Sequence, residues 1–298
     1  MIFKIKKHLK NKFSEYLKKN PGIYRPSSHP FLSGDTLRNY SDHIFDETKT
    51  LNPKLVKNND VVFLKTELKD IYFKNYHKEI DSNYILLTHN SDIPINDEDT
   101  KFIDENIIHW FAMKLNVNMN DKISPIPSGL ENRYLRRNGK VDNFNKVYSS
   151  YLLNPDIKKD KILSSFNVLS NYEIRSKLLQ QVKDDDKVNI KNFQSSLEYL
   201  NELSNYSFNL CPEGNNYESH RIWESLIFDC TPIVLSNHVN NNFFSLGVPM
   251  IMLEKWDDLN HLSINDLIEM NNINNDKNYL EFATFEFWKK LIEAKKTN

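Results

Sequence analysis

Glycine is scarce in this chain, with 6 among 298 residues. The glycine-rich phosphate cradles are absent. There is no G-x-x-x-x-G-K-[ST] loop, no G-x-G-x-x-G fingerprint and no G-x-S-x-G nucleophile elbow. Cysteine is scarcer still. Cys211 and Cys230 are too few for a disulfide framework or a zinc site, and both sit in apolar segments, which reads as buried free thiols in a reducing compartment. No apolar run approaches the ~20 residues of a membrane span, and no secretory apolar stretch follows the start. A cytoplasmic protein is expected, at most peripheral on the inner face of a membrane. Neither sign of charge dominates, with 39 Lys plus Arg against 40 Asp plus Glu, so no broad basic surface for nucleic acid is implied. No D-x-D pair of the kind that carries a metal–nucleotide complex stands out. Asp184-Asp185-Asp186 reads as a solvated turn, and no metal site is expected.

The length allows two domains, and 39% hydrophobic with 12% aromatic residues supplies a sizeable core. The N-terminus is the one strongly basic place. There Ile2, Phe3, Ile5, Leu9, Phe13 and Leu17 lie among seven lysines within residues 1–19. This amphipathic pattern suits an anionic membrane surface, and equally an ordinary solvated helix docked on the body.

Further on, strands and helices alternate. Residues 20–36 read as irregular, and Asp35 or Thr36 is placed to cap a helix over 36–47. Val61–Lys65 and Tyr84–Thr88 read as buried strands. Residues 104–115 read as an amphipathic helix with Ile107, Trp110, Phe111 and Leu115 on one face. Lys122–Pro127 reads as a strand broken by prolines. A polar stretch over 136–160 reads as the domain boundary, dividing the chain into 1–145 and 146–298. The alternation then restarts with a strand at Lys161–Asn167 and a helix from Tyr172 capped by Asn171. A strand at Tyr206–Leu210, a helix at Ser219–Phe228 and a strand at Pro232–Leu235 follow. The fold class expected is α/β, with mostly parallel sheets in two halves. In such sheets ligands sit beyond the carboxyl ends of strands. Here those ends carry His89–Asp92, Ser165–Asn167, Cys211–Asn216 and Ser236–His238.

The densest of these places is Tyr206–Leu235. Pro212 stops a strand, Glu213-Gly214-Asn215-Asn216 forms a turn, and Gly214 would admit close backbone approach. Ser219 is a natural helix cap, so a phosphate is expected at the free N–H groups of that helix start. Arg221 adds a planar fork of donors for a diphosphate, and Glu224, one turn on, can take two hydroxyls of a ribose. The plain alternative is a surface helix with an Arg–Glu pair of little worth. Ser165 and Asn167 end the first strand of the second half and can donate to phosphate oxygens. Arg175 can reach the same place, although a solvated Arg175 beside a capped turn fits as well.

The pattern F-N-L-C-P-E-G-N…S-H-R-I-W-E-S-L…C-T-P-I-V resembles the donor-domain motif of exostosin-like glycosyltransferases. The segments SGDTLR, YILLTHNSD, IIHWFAMKLN and IPSGLENR are similar to parts of a bacterial and viral group of these enzymes. The resemblance implies a GT-B architecture, in which two Rossmann-like domains face a cleft. It also implies a nucleotide-sugar donor, with a UDP-sugar favoured, and metal-independent transfer with no cofactor. By it, Arg221 holds the diphosphate and Glu224 the donor nucleoside or sugar. Two positions depart from the family pattern. Phe228-Asp229 stand where Gly or Ala is usual, and Glu213 where Arg is frequent.

The full donor-binding set is therefore Ser165, Asn167, Arg175, Glu213, Gly214, Asn215, Ser219, His220, Arg221 and Glu224. His220 as imidazolium would offset leaving-group charge. Inverting transfer also needs a base near the acceptor hydroxyl. Asp92 and His89 are the first candidates and Glu67 the third, against the alternative of a plain Asx turn at Asn90-Ser91-Asp92. His109 reads as a core histidine. The partners expected are a nucleotide sugar, a glycan or glycolipid acceptor and an anionic membrane surface. Three alternatives stay open. One is a fucosyltransferase-like GT-B enzyme, disfavoured because that group carries Lys where Arg221 stands. The second is a non-catalytic nucleotide- or glycan-binding protein on the same scaffold. The third is a membrane-surface structural protein led by residues 1–19.

Overall fold

Runs such as Val61-Val62-Phe63-Leu64 have no polar face to offer water, which suits strands covered on both sides. The computed structural model describes residues 24–155, 157–274 and 276–296. The basic segment 1–19 lies outside the described residues. In the first lobe, a helix α1 (Gly34–Tyr40) precedes β1 (His43–Phe45) and β2 (Val61–Lys65). Helix α2 (Lys69–Asn75), β3 (Tyr84–His89), β4 (Ile107–Ala112) and β5 (Ile123–Pro125) follow. The five strands lie in the order 1-2-3-4-5, all parallel, with Phe63 beside Leu87 and Leu87 beside Phe111.

The second lobe begins with α3 (Val141–Tyr151), β6 (Lys159–Ser164), α4 (Tyr172–Val182), β7 (Val188–Ile190) and α5 (Ser196–Leu203). It continues with β8 (Tyr206–Leu210), α6 (His220–Leu226), β9 (Thr231–Leu235), α7 (His238–Ser245) and β10 (Ile251–Leu253). Its strand order is 10-9-8-6-7, again all parallel. The chain leaves β6 toward β7 and then crosses back to lay β8 on the other side of β6. The loops after β6 and β8 therefore diverge and leave a crevice at their carboxyl ends, the usual ligand position of a doubly wound sheet. Two such parallel sheets facing a cleft are the α/β architecture expected.

The chain ends in α8 (Ile264–Asn271), α9 (Tyr279–Ala283) and α10 (Phe285–Glu293). The last two return to the first lobe. Phe285 N–H donates to Pro30 O at 2.9 Å, and Tyr40 hydroxyl bonds Glu293. Trp288 is fully buried and sits edge-on to Trp223 and Phe243 of the second lobe. One apolar cluster thus runs through both lobes, from Phe31 and Phe111 to Trp223 and Trp288. No helix among the described residues is long and apolar enough to cross a membrane.

Local details differ from the expectations at several places. Residues 107–112 are the strand β4, not a helix, because this run is buried between two layers and its apolar spacing fits either period. The helix expected over 36–47 ends at Tyr40 and gives way to the strand β1. Its N-cap is Ser33, whose Oγ accepts from Thr36 N–H, rather than Asp35 or Thr36. Within the stretch 136–160, read as holding the domain boundary, lies α3, which buries Val141, Phe144 and Val147 and packs on α5. Asn171 does precede its helix, but its side chain donates to Gly214 O instead of capping.

Candidate active site

A cleft of about 910 Å³ opens between the carboxyl ends of the two sheets. On the second-lobe side its wall is the crevice between the loops after β6 and β8, lined by Ser165, Asn167, Gly214 and Asn215. Arg175 ties these loops together. Its Nη1 donates to Asn167 O at 2.8 Å, Nε to Glu213 O at 2.8 Å and Nη2 to Pro212 O at 2.9 Å. Arg175 is 2% exposed, and burial, with the nearby charge of Arg221, lowers its pKa to about 10. It is therefore not a solvated side chain. Three of its five N–H groups are taken by these carbonyls, and through them it holds the crevice loops together at the cleft wall.

Gly214 has a related explanation. A Cβ there would stand 3.3 Å from Arg175 Nη2, so the missing side chain makes room for that arginine. Glu213 is corrected more fully. It does not line the cleft, and its buried Oε2 has no partner while burial raises its pKa. Its contribution to the crevice is the backbone carbonyl that receives Arg175.

Helix α6 supplies the groups that remain open. It has only seven residues, so its dipole is a short one. Ser219 occupies the N-cap position, but its Oγ makes no capping bond and is buried without a partner at the cleft wall. Arg221 donates Nε–H to Ser165 O and lays its guanidinium 5.8 Å from the centre of the Tyr199 ring. Its two terminal nitrogens have no hydrogen-bond partner among the described residues. Glu224 is 5% exposed and lines the same cleft. Burial raises its pKa, opposed by the charge of Arg221. His220 donates Nδ1–H to Gly129 O across the lobes at 2.6 Å.

The first-lobe candidates are placed differently. His89 lies at the end of β3, 2% exposed. Its Nδ1 accepts from Asn90 N–H at 2.7 Å, so its Nε2–H donates to Pro127 O at 2.8 Å. Burial lowers its pKa to about 4. Both ring nitrogens are occupied, and His89 is not a base for a substrate. Asp92 accepts from Lys114 Nζ at 2.5 Å and from Asn215 Nδ2 at 3.2 Å. Burial alone would raise its pKa, but the Lys114 and Asn215 bonds outweigh it and leave the carboxylate below its usual range. Asp92 is thus a poor proton acceptor and a tie between the lobes. Glu67 is exposed at the cleft wall. His109 is fully buried, with Nδ1 on Asp121 O and Nε2 on Ser124 Oγ, as a core histidine should be.

Glu218 and Lys114 are among the wall residues that escaped the sequence reading. Glu218 is 5% exposed, and its Oε1 accepts from Ser128 N–H, Ser128 Oγ and Trp223 Nε1. Lys114 is buried and left-handed at φ 57°, with Nζ on Ser91 O at 2.9 Å. The E-S-H-R sequence was a signal for Glu218, since it sets a carboxylate beside the cap. Nothing local marked Lys114. No group of three His, Cys, Asp or Glu able to hold a metal ion comes together among the described residues.

The fold and site define a two-lobed α/β protein with a polar cleft at a topological switch point, where the terminal nitrogens of Arg221 have no hydrogen-bond partner among the described residues. Residues 144–246 match the Exostosin GT47 domain, the segment that carries β6 to β9 and every donor-side residue named above. The exostosin-like resemblance holds for that segment. No match is found among curated proteins. Among solved structures the chain is similar to the GtfA/B complex (TM-score 0.39, 12% identity, 82% of this chain and 58% of that one). It is also similar to the pneumococcal O-GlcNAc transferase GtfA in complex with UDP and GlcNAc (0.37, 13%, 81% and 58%). A third is WaaG, a glycosyltransferase involved in lipopolysaccharide biosynthesis (0.34, 10%, 89% and 80%). The chain spans 58% of the length of the first two.

Proposed function

We propose that the protein is a glycosyltransferase that moves a sugar from a nucleotide-sugar donor to a hydroxyl of a glycan or lipid-linked acceptor, with inversion. A UDP-sugar is the favoured donor. The observation that carries the reading is Arg221, whose Nε is fixed on Ser165 O while its terminal nitrogens stay open at the switch point. A guanidinium held in this way is pre-organised for a diphosphate and costs little reorganisation when charge develops on the leaving group. Glu224, one turn along, is placed for ribose or sugar hydroxyls, and the match over 144–246 supports the same assignment. No cofactor or metal is invoked, because the leaving charge is met by Arg221 and the wall donors. The acceptor enters from the side of Glu67 and Asp92.

Calorimetric titration with UDP and GDP, followed by UDP release from a panel of UDP-sugars, tests the reading. Binding of UDP with slow release of UDP from at least one sugar is expected. GDP preference would favour the fucosyltransferase-like alternative. Binding with no turnover of any donor would leave a non-catalytic binder.

A further inference from the structure

On the strength of that glycosyl-transfer reading, we propose that His220 is the catalytic base, supplied by the second lobe. It takes the place that neither His89 nor Asp92 can fill. The ring is oriented by a backbone carbonyl. Gly129 O can only accept, so Nδ1 carries the proton, and Nε2 is the lone-pair nitrogen of the neutral ring. Nε2 has no partner among the described residues, and the exposed ring lines the cleft. This is the arrangement a general base requires, with one nitrogen locked by the protein and the other free toward the substrate.

Its position between the lobes completes the argument. His220 lines the same cleft as His89 and Asp92 on the acceptor side and Glu224 on the donor side. The other charged groups lining the cleft are Glu67, Lys114 and Glu131 from the first lobe, Arg137 and Lys140 just before α3, and Arg175, Glu218 and Arg221 from the second lobe. A base on this wall, one residue before Arg221, can take the proton of an acceptor hydroxyl that attacks a donor held there. In the step, the acceptor oxygen attacks the anomeric carbon while its proton passes to His220 Nε2. The bond from that carbon to the β-phosphate oxygen breaks, and its electron pair leaves with the nucleoside diphosphate. The imidazolium then gives its proton to solvent.

Two variants test the assignment in the full chain. His220→Asn keeps an N–H for Gly129 O and lacks the second nitrogen. His220→Gln places an amide near Nε2 that cannot take a proton. Both should bind UDP with unchanged affinity by calorimetry. Both should lower turnover of the best UDP-sugar roughly 10²–10⁴-fold at saturating donor, and both should lose the acid limb of the wild-type pH–rate profile. Weaker UDP binding with turnover intact at saturation would make His220 a donor-binding group, and a wild-type profile whose His220-dependent limb is alkaline would make it a leaving-group cation; either would overturn the proposal. Full activity in either variant would overturn it as well. If the wild type neither binds nor turns over a nucleotide sugar, the glycosyl-transfer reading itself fails, and the base assignment falls with it.

Discussion

The turn after β3 and the turn after β8 are counterparts, each closing a central strand of its sheet at the cleft. They differ in how much of their hydrogen-bonding capacity the protein consumes. At the first, His89 has both nitrogens bonded, and Asp92 is divided between Lys114 and Asn215. At the second, Ser219 Oγ is buried without a partner, the fork of Arg221 is open, and Nε2 of His220 is free. Polar groups out of water are normally paired, so the buried, unpaired Ser219 Oγ marks a place at the cleft wall where a ligand can supply the partner. With the solvent-facing Arg221 and His220 beside it, the proposed chemistry rests on the second lobe, while His89 and Asp92 serve as structural ties.

The sharpest way to break the comparison uses the two arginines of the second turn. Arg221→Ala should lower turnover by about 10²–10³-fold, the usual loss for one pre-organised donor, with the melting temperature little changed. Arg175→Met should do the reverse. It leaves three carbonyls without their donor and should cost roughly 3 kcal/mol of stability by chemical denaturation, with donor affinity falling because the crevice loosens. If Arg175→Met folded as well as wild type and lost only nucleotide binding, the division between a shaping and a ligand-binding arginine would collapse.

His89 gives the next test, through pH. Its folded pKa is about 4 against an ordinary 6.5, so the unfolded chain binds the proton first as pH falls. The stability this neutral histidine provides is complete above pH 6.5 and is lost as pH drops toward 4, to a total of about 3 kcal/mol. His109 titrates in the same window, so the wild type must be compared with His89→Gln. Measured by urea denaturation, the stability gap between the two should narrow from pH 7 to pH 4. Turnover of His89→Gln at pH 7 should stay within tenfold of wild type. A gap independent of pH would mean that His89 is not held neutral.

Much of this was legible in the residues themselves. The Tyr206–Leu210 strand and the helix opening at Ser219 read directly, because Pro212 stops one and the apolar face of Trp223 and Leu226 requires the other. The switch point was not legible, because strand order depends on contacts that spacing does not encode. Residues 107–112 misread because a strand buried on both faces has no polar period to distinguish it from a helix. His89 looked like a base because its partner, Pro127 O, lies 38 residues away. Glu218 was missed for a similar reason, since Ser128 lies 90 residues before it. Arg175 looked exposed because its three partners are carbonyls, which carry no side-chain signature.

Asp92 carries the smallest expected effect and bears most directly on which lobe holds the base. Its side chain is 65% exposed, whereas Lys114 opposite is 6% exposed and keeps Ser91 O as a second acceptor. Asp92→Asn removes the charge but leaves an amide oxygen for Lys114, so stability should fall by only about 1 kcal/mol, as for an ion pair open to solvent on one side. The hold on Asn215 weakens at the same time, which should raise the KM for the donor a few-fold and lower kcat less than tenfold. The pH profile should keep its acid limb, because the group responsible for it is on the other lobe. A 10²-fold or greater loss of kcat in Asp92→Asn, with UDP affinity and fold preserved, would put the base back on the first lobe. The depressed pKa of Asp92 argues against that outcome, because Lys114 and Asn215 stabilise its carboxylate and make it a weaker proton acceptor.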